Sequence, residues 1–118
     1  MEWLLDSYAW MEYFGGNEKY RDYIEEGTGQ TVSVSLTEVV RAFLRKRVER
    51  PESYVKFISS KSIIIPVEKE AAVRAGFLAE RTGLHFSDAI IYAHASKNLK
   101  LVTGDPHFRG LENVEFVE

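Results

Sequence analysis

The sequence predicts an α/β protein, built as a three-layer α/β/α sandwich with a central parallel sheet. Strand candidates alternate with helix candidates along the chain, which is typical of α/β folds. Some strand candidates, such as residues 62–67 (SIIIPV), are continuous apolar runs rather than alternations of apolar and polar side chains. Continuous runs indicate parallel strands that helices cover on both faces. The chain has 118 residues, 45% of them hydrophobic, so we expect one domain over residues 1–118.

Four elements are predicted in the first third of the chain. Trp3 opens a short apolar strand that ends at Asp6. A short helix follows, and the glycines at 15–16 end it because glycine adopts the backbone conformations found at helix C-termini. The other two elements are a short helix over residues 18–26 and a strand over residues 30–35 (QTVSVS).

The middle of the chain contains the most strongly patterned helix. From Leu36, apolar side chains recur at i, i+3, i+4, i+7 and i+8, which places them on one face of an amphipathic helix. Pro51 opens the next helix, which we expect to end near Ser60. The apolar run that follows is predicted to be a buried strand ended by Pro66.

Two helices and two strands are predicted in the C-terminal part. The first helix ends at Gly83, and its inward-facing residues are predicted to be Ala72, Ala75, Leu78 and Ala79. The second, over residues 87–98, is apolar nearly all round at its start, so we expect it to be central. The last strands cover residues 99–103 and 113–117.

Composition and charge limit the classes of function. The absence of Cys excludes disulfides and thiolate metal sites and fits a reducing compartment. No apolar run approaches the roughly 18 residues of a membrane span, and the first strand leaves no room for a signal peptide, so we expect a cytoplasmic protein. The net charge of −3 argues against a general nucleic-acid binder, but residues 41–61 hold seven Lys or Arg against two Glu, a local balance of +5.

Acidic residues follow the predicted strands at one edge of the sheet. Asp6 ends the first strand, Asp105 follows the strand at residues 101–103, and Glu38 lies in the first turn of the helix after the second strand. Asp88 begins the apolar helix that leads to the strand before Asp105. In parallel α/β sheets, ligands bind at the carboxyl edge of the strands, where three of these four acids are expected.

The same residue types also occur at helix starts. Ser35 and Glu38 form a capping box, and Asp6 precedes a helix that it can cap. Asp105 can cap a helix that has Pro106 at its first position, and Ser87 can cap the helix that Asp88 begins. For any one of the acids, helix capping is therefore the simpler interpretation.

Taken together, the four acids favour a metal site. Two like charges ~4 Å apart repel by about 1 kcal/mol in water and by several times more in a partly dry cleft. Helix N-termini offset part of this repulsion, and a divalent cation offsets more. Mg²⁺ and Mn²⁺ take oxygen ligands, whereas the missing Cys and the spacing of the three His argue against zinc. An all-carboxylate site favours chemistry on phosphate.

Four segments of the chain together resemble the PIN domain family, and most closely the VapC-type toxin ribonucleases of toxin–antitoxin pairs. They are LLDS with Asp6, SLTEVV with Glu38, FSDAIIYAHA with Asp88 and LVTGDPHF with Asp105. The resemblance covers nearly the whole chain in the right order, and the set of four is specific although no single segment is.

This resemblance implies an α/β/α sandwich that acts as a homodimer and cleaves RNA phosphodiester bonds with Mg²⁺ or Mn²⁺. Asp6 and Asp88 would be the most direct metal ligands, and Glu38 and Asp105 would complete the pocket through water or a second metal. Thr103 matches a supporting hydroxyl position. One carboxylate would help to take the proton of the attacking water. The family also implies an antitoxin partner, for which the aromatic N-terminal third offers a surface.

Two further features have open interpretations. Arg41 and Arg45 flank Glu38 on the predicted helix, where they form either i, i+3 ion pairs on an exposed face or a cleft rim that holds RNA phosphates. The three His are expected to be structural or exposed, with His107 alone considered as an auxiliary group.

Three other function classes fit the sequence less well. A receiver-type phosphoacceptor domain would need paired acids after the first strand, whereas Asp6 is followed by Ser7. A structure-specific DNA nuclease would need arches and clamps, for which the chain is too short. A noncatalytic RNA-binding or scaffold protein on the same fold stays the alternative, and the presence of all four acids argues against it.

Overall fold

Five parallel strands form one sheet at the centre of the molecule. The computed structural model describes all residues, 1–118, and its strands are β1 (Glu2–Leu5), β2 (Thr28–Val32), β3 (Ser62–Ile65), β4 (Lys100–Thr103) and β5 (Val114–Phe116). Their order across the sheet is β3-β2-β1-β4-β5, and every neighbouring pair is parallel. The predicted α/β/α sandwich with a central parallel sheet is thus confirmed.

Six α-helices flank the sheet. They are α1 (Ser7–Phe14), α2 (Arg21–Glu25), α3 (Ser33–Arg45), α4 (Pro51–Lys61), α5 (Lys69–Thr82) and α6 (Phe86–Tyr92), with 3₁₀ helices at Glu18–Tyr20 and Pro106–Phe108. None of these helices combines the length and the apolar character that crossing a membrane requires.

Each face of the sheet has its own hydrophobic core. Successive side chains of a strand point to opposite faces, so Leu4 and Leu5 of β1 enter different cores. Leu4 belongs to a buried cluster that contains Leu101 and the α6 residue Ile91. Leu5 belongs to a second cluster, with Trp10 from α1 and residues of α2, α3 and α4.

The strand order reverses beside β1. The chain builds β2 and β3 on one side of β1 and then crosses to build β4 and β5 on the other side. Such a reversal leaves a crevice at the carboxyl ends of the strands, which is where parallel α/β folds bind ligands. Leu5 pairs with Val102, so the next residues, Asp6 and Thr103, reach this crevice together.

The helix that carries Glu38 begins earlier than predicted. β2 ends at Val32, which is its last residue paired with β3, and α3 starts at Ser33. Ser35 lies inside the helix, and its buried hydroxyl has no hydrogen-bond partner. The predicted capping box of Ser35 and Glu38 is therefore wrong, and Glu38 lies in the second turn of α3.

Other differences arise where tertiary packing overrides local pattern. β3 is an edge strand, and Ile63 is 59% exposed rather than buried. On α5, Ala71 is buried in place of Ala72, which is exposed. The last predicted helix ends at Tyr92, and the His85 side chain rather than Ser87 caps it.

Candidate metal centre

Asp6 lies at the bottom of the crevice. It is 3% exposed, and it caps α1 by accepting a hydrogen bond from the Ala9 backbone N–H to Oδ1 at 2.8 Å. The predicted cap is therefore formed, but it uses only one of the two carboxyl oxygens. The buried hydroxyl of Thr103 is a second neighbour that favours the ionised form of Asp6.

Burial dominates the electrostatics of Asp6. Loss of hydration raises the pKa of its carboxyl to about 7, and the charges of Asp105 and Asp88 contribute in the same direction. The hydrogen bonds from Ala9 and Thr103 act in the opposite direction but do not cancel the effect of burial. Ionised Asp6 therefore lacks a positive partner in the crevice.

Asp88, Asp105 and His107 form the tightest group of potential metal ligands. One ligand atom of each lies within 4.8 Å of the other two. Asp105 caps the second 3₁₀ helix by accepting from the His107 backbone N–H at 3.0 Å, and its Oδ1 lies 2.7 Å from the His107 Nδ1. The predicted capping role of Asp105 and its place in the acidic site therefore coexist.

The charges of this group influence one another. Partial burial raises the pKa of Asp88, and the nearby carboxylates of Asp105 and Glu38 add to the effect. The hydrogen bond to Asp105 raises the pKa of His107, whose ring is exposed. His107 was predicted to be no more than an auxiliary group. In the structure, its ring contacts Asp105.

Glu38 occupies the outer part of the site between two serines. The Ser7 hydroxyl donates to its Oε1 at 3.0 Å, and the Ser87 hydroxyl donates to its Oε2 at 3.2 Å. Sequence reasoning assigned neither serine to the site. Both stand next to a site acid in the chain, as Asp6-Ser7 and Ser87-Asp88, and this adjacency is the signal that could have identified them.

The four predicted acids thus lie in one region without forming a single close cluster. Asp88 and Asp105 form the core of the site together with His107. Asp6 is linked to both of them electrostatically, and Glu38 is linked to Asp88 in the same way.

The donor set fits a hard divalent cation. None of the four acids forms an ion pair with Lys or Arg, and His107 is their one basic partner. The four carboxyl groups of this region therefore have no matching positive charge from Lys or Arg. Carboxylate oxygens suit Mg²⁺ and Mn²⁺, and an imidazole nitrogen is a ligand that transition metals accept more readily than Mg²⁺ does.

Arg41 and Arg45 continue the site along α3. Both are exposed, and they line a groove of about 320 Å³ together with Glu38, Ala42 and Lys46. The i, i+3 ion pair that one interpretation predicted between Glu38 and Arg41 does not form. Their guanidinium groups are therefore available at the rim of the acidic site.

Comparisons with known proteins identify the fold family. The family model of the PIN domain matches residues 3–114. No curated protein matches the chain in a sequence search.

Solved structures of similar fold come from several bacteria. A toxin-antitoxin complex from Klebsiella pneumoniae has a TM-score of 0.78 and 23% identity, covering 94% of this chain and 93% of that chain. VapBC2 from Rickettsia felis, bound to a promoter DNA fragment, has a TM-score of 0.73 and 21% identity. The match covers 100% of this chain and 98% of that chain. Mycobacterium tuberculosis VapC20, described as a sarcin-ricin loop cleaving toxin, has a TM-score of 0.65 and 17% identity. The match covers 77% of this chain and 78% of that chain. The family model covers most of the chain, and the protein belongs to the PIN domain family.

Proposed function

We propose that the protein is a metal-dependent endoribonuclease, the toxin of a toxin–antitoxin pair, which hydrolyses RNA phosphodiester bonds. The observation that carries this proposal is the close group of Asp88, Asp105 and His107, whose acids act electrostatically on the buried Asp6. The charge of Glu38 also acts on Asp88, and no Lys or Arg is paired to any of the four acids. The description of one similar structure as a sarcin-ricin loop cleaving toxin supports RNA as the substrate.

The four acids would have different roles in metal binding and catalysis. Asp88 and Asp105 would hold a Mg²⁺ or Mn²⁺ ion, and Asp6, from the buried side, and Glu38, from the outer side, would complete the site. When bound, such a cation activates water and neutralises charge on the departing group. One of the four carboxylates would take the proton of the attacking water.

Thr103 and the α3 arginines support this chemistry. The Thr103 hydroxyl accepts a hydrogen bond from the Asp105 backbone N–H at 3.1 Å and lies beside Asp6, so it holds two of the acids in place. Arg41 and Arg45 bind RNA phosphates at the rim, where their charge also draws RNA to an otherwise acidic site.

An antitoxin protein is the partner that fits the remaining surface. The titles of two similar structures name a toxin-antitoxin complex and VapBC2. A groove of about 510 Å³ lies beside α1 and α4, and aromatic side chains form much of its lining, namely Tyr13, Phe14, Tyr54 and Phe57. Such a groove suits an apolar helix of the partner. Co-purification from the native host is the direct test of this partner.

Neutralising single acids tests the catalytic proposal. We expect Asp6→Asn and Asp88→Asn each to lower the rate of RNA cleavage at least about 100-fold, because each removes a charge that holds the cation. The measurement is cleavage of a pool of single-stranded RNA of randomised sequence in Mn²⁺. Sequencing of the cut ends then supplies a defined substrate.

Glu80→Gln is the matched control, since the Glu80 side chain is exposed on α5 and makes no hydrogen bond. It should cut RNA like the wild type. Full activity in both Asp6→Asn and Asp88→Asn would contradict the proposal. RNA binding without any cleavage by the wild type would favour the alternative of a noncatalytic RNA-binding protein on the same fold.

A further inference from the structure

Glu38 connects three helices through its carboxylate. It lies on α3, whereas Ser7 is the first residue of α1 and Ser87 lies in the first turn of α6. Each serine donates to a different carboxylate oxygen, Ser7 to Oε1 at 3.0 Å and Ser87 to Oε2 at 3.2 Å. Two donors on two oxygens restrict rotation of the carboxylate as well as its position.

Neither serine is needed for the start of its own helix. Asp6 caps α1 through the Ala9 N–H, and the His85 side chain caps α6 by accepting from the Ser87 N–H. The Ser87 hydroxyl also lies 3.2 Å from the His85 Nδ1. Because this nitrogen accepts from the Ser87 N–H, it competes with Glu38 for the one hydroxyl proton, and the Glu38 carboxylate is the stronger acceptor because it is charged. With capping supplied by other residues, the side-chain partner that the two serines share is Glu38.

Glu38 is the acid with the greatest need for such support. Its side chain has more rotatable bonds than that of Asp, and it starts from the second turn of α3 rather than from a strand end. It lies outside the close group of Asp88, Asp105 and His107, although its charge acts on Asp88. Without fixed partners, a half-buried Glu at this place would sample several orientations.

We propose that Ser7 and Ser87 are positioning residues that hold the Glu38 carboxylate in one orientation at the edge of the metal centre. This inference rests on the proposed function for the role of Glu38 itself. Partners that orient a metal-ligating or water-holding carboxylate commonly change metal affinity or activity by about 10- to 100-fold when they are removed.

Alanine variants of the two serines test the proposal with two readouts. We expect Ser7→Ala and Ser87→Ala each to lower kcat for RNA cleavage about tenfold with little change in KM. We also expect each to raise severalfold the Mn²⁺ concentration that gives half of the maximal increase in melting temperature. Ser7→Thr and Ser87→Thr keep the hydroxyl and should restore most of both properties.

A double-mutant comparison separates positioning from a general structural effect. In a Glu38→Ala background, Ser7→Ala and Ser87→Ala should leave the Mn²⁺ response unchanged, because the group that they orient is absent. Ser59→Ala is the control, since Ser59 is exposed on α4 and its hydroxyl makes no hydrogen bond. It should match the wild type in every assay.

The outcomes distinguish this inference from the proposed function. Wild-type levels of cleavage and of Mn²⁺ response in the Ser7→Ala/Ser87→Ala double variant would overturn the positioning role and leave the nuclease intact. Equal effects of the serine changes with and without Glu38 would overturn it as well. A wild type that binds Mn²⁺ but cuts no RNA would refute the nuclease, while the Mn²⁺ comparison would still decide the role of the serines. A wild type that does neither would refute both.

Discussion

Asp6 has an observed role and a proposed role at the same carboxyl group. One oxygen caps α1 through the Ala9 N–H, and the charge of the group faces the acids of the crevice. The cap requires only an acceptor oxygen, whereas the metal centre requires the negative charge. The two roles can therefore be separated by Asn, which caps helices as well as Asp does but carries no charge.

The stability of the metal-free protein should depend on the ionisation of Asp6. Its pKa is raised from 3.8 in the unfolded chain to about 7 in the fold, so its contribution to stability is present at low pH and is lost as the pH rises through 7. Relative to Asp6→Asn, the wild type should lose about 2–3 kcal/mol of unfolding free energy between roughly pH 5 and pH 8. Urea denaturation in EDTA measures this difference, and parallel pH profiles of the two proteins would contradict it.

Gly104 separates Thr103 from Asp105 at a crowded point beside the site. A Cβ at this position would lie 2.6 Å from the Tyr20 hydroxyl and 2.6 Å from the Val117 carbonyl oxygen. The Val117 backbone cannot move freely, because its N–H donates to the Thr103 carbonyl at 2.9 Å. Only glycine therefore lets the chain pass from β4 to Asp105 along this path.

We expect Gly104→Ala to lower the unfolding free energy by about 1–3 kcal/mol through overpacking, and to slow cleavage because Asp105 is displaced. Gly76→Ala is the contrasting variant, since a Cβ there would meet nothing within 4 Å in the interior of α5. It should raise stability by about 0.5–1 kcal/mol. Urea denaturation of both variants checks the prediction. It is wrong if Gly104→Ala proves as stable as the wild type.

At the scale of the element, α3 serves both the core and the site. Val39 and Phe43 are buried against the aromatic cluster around Trp10. The opposite side of the same helix presents Glu38, Arg41 and Arg45. The amphipathic pattern that buries one side of α3 therefore also places the acid and the arginines in a row at the rim of the crevice.

Removing the arginines should weaken the salt-dependent part of RNA binding. We expect Arg41→Ala and Arg45→Ala each to raise KM and to reduce the magnitude of the slope of log affinity against log salt by about 0.7, the value for one phosphate contact on a single strand. The reaction rate at saturating RNA should change little. Arg81→Ala on α5 is the control, because Arg81 is exposed and forms no ion pair. An unchanged salt slope in both variants would exclude a phosphate contact.

At the scale of the whole molecule, the helix layers leave apolar surface uncovered. Val73 and Phe77 lie one turn apart on α5 and are 58% and 73% exposed. Large apolar side chains that neighbour one another at the surface often mark an interface between proteins. This face is a candidate for the homodimer contact that the PIN domain resemblance implies.

We therefore expect the protein to be a dimer in solution and Phe77→Asp to make it monomeric, because a buried charge would oppose association. Light scattering after size-exclusion chromatography gives the molar mass of both. Leu44→Asp is the comparison and should remain a dimer. Leu44 is also apolar and exposed, at 59%, but lies on α3. A monomeric wild type, or a dimeric Phe77→Asp, would show that α5 is not the interface.

Most elements of the fold were predictable because their signals are local. The amphipathic pattern of α3, Pro51 at the start of α4 and Gly83 at the end of α5 all appear in the structure. The alternation of strands and helices led directly to the parallel sheet. The errors occurred where a local pattern fits two structures, as in the QTVSVS segment, whose second half begins α3 instead of extending β2.

The sequence indicated where in the fold the candidate site residues lie, but not how their side chains are arranged. Asp6 and Asp105 follow strands, so their place at the carboxyl edge could be inferred. The contacts of Ser7 and Ser87 with Glu38 could not be inferred, although each serine stands next to a predicted site acid in the chain. These contacts join residues 31 and 49 positions apart, so the adjacency places each serine near the site but does not reveal Glu38 as its partner.

By itself, the sequence determined the class of fold, the acidic residue types and the edge of the sheet where three of them lie, because periodicity and strand ends are properties of neighbouring residues. Only the tertiary structure decided that β3 is an edge strand, that Asp88 joins Asp105 and His107, and that two serines hold Glu38. The reason is physical: these relations depend on the order in which strands pair and on how helices pack across the sheet. Both are set by contacts between distant parts of the chain.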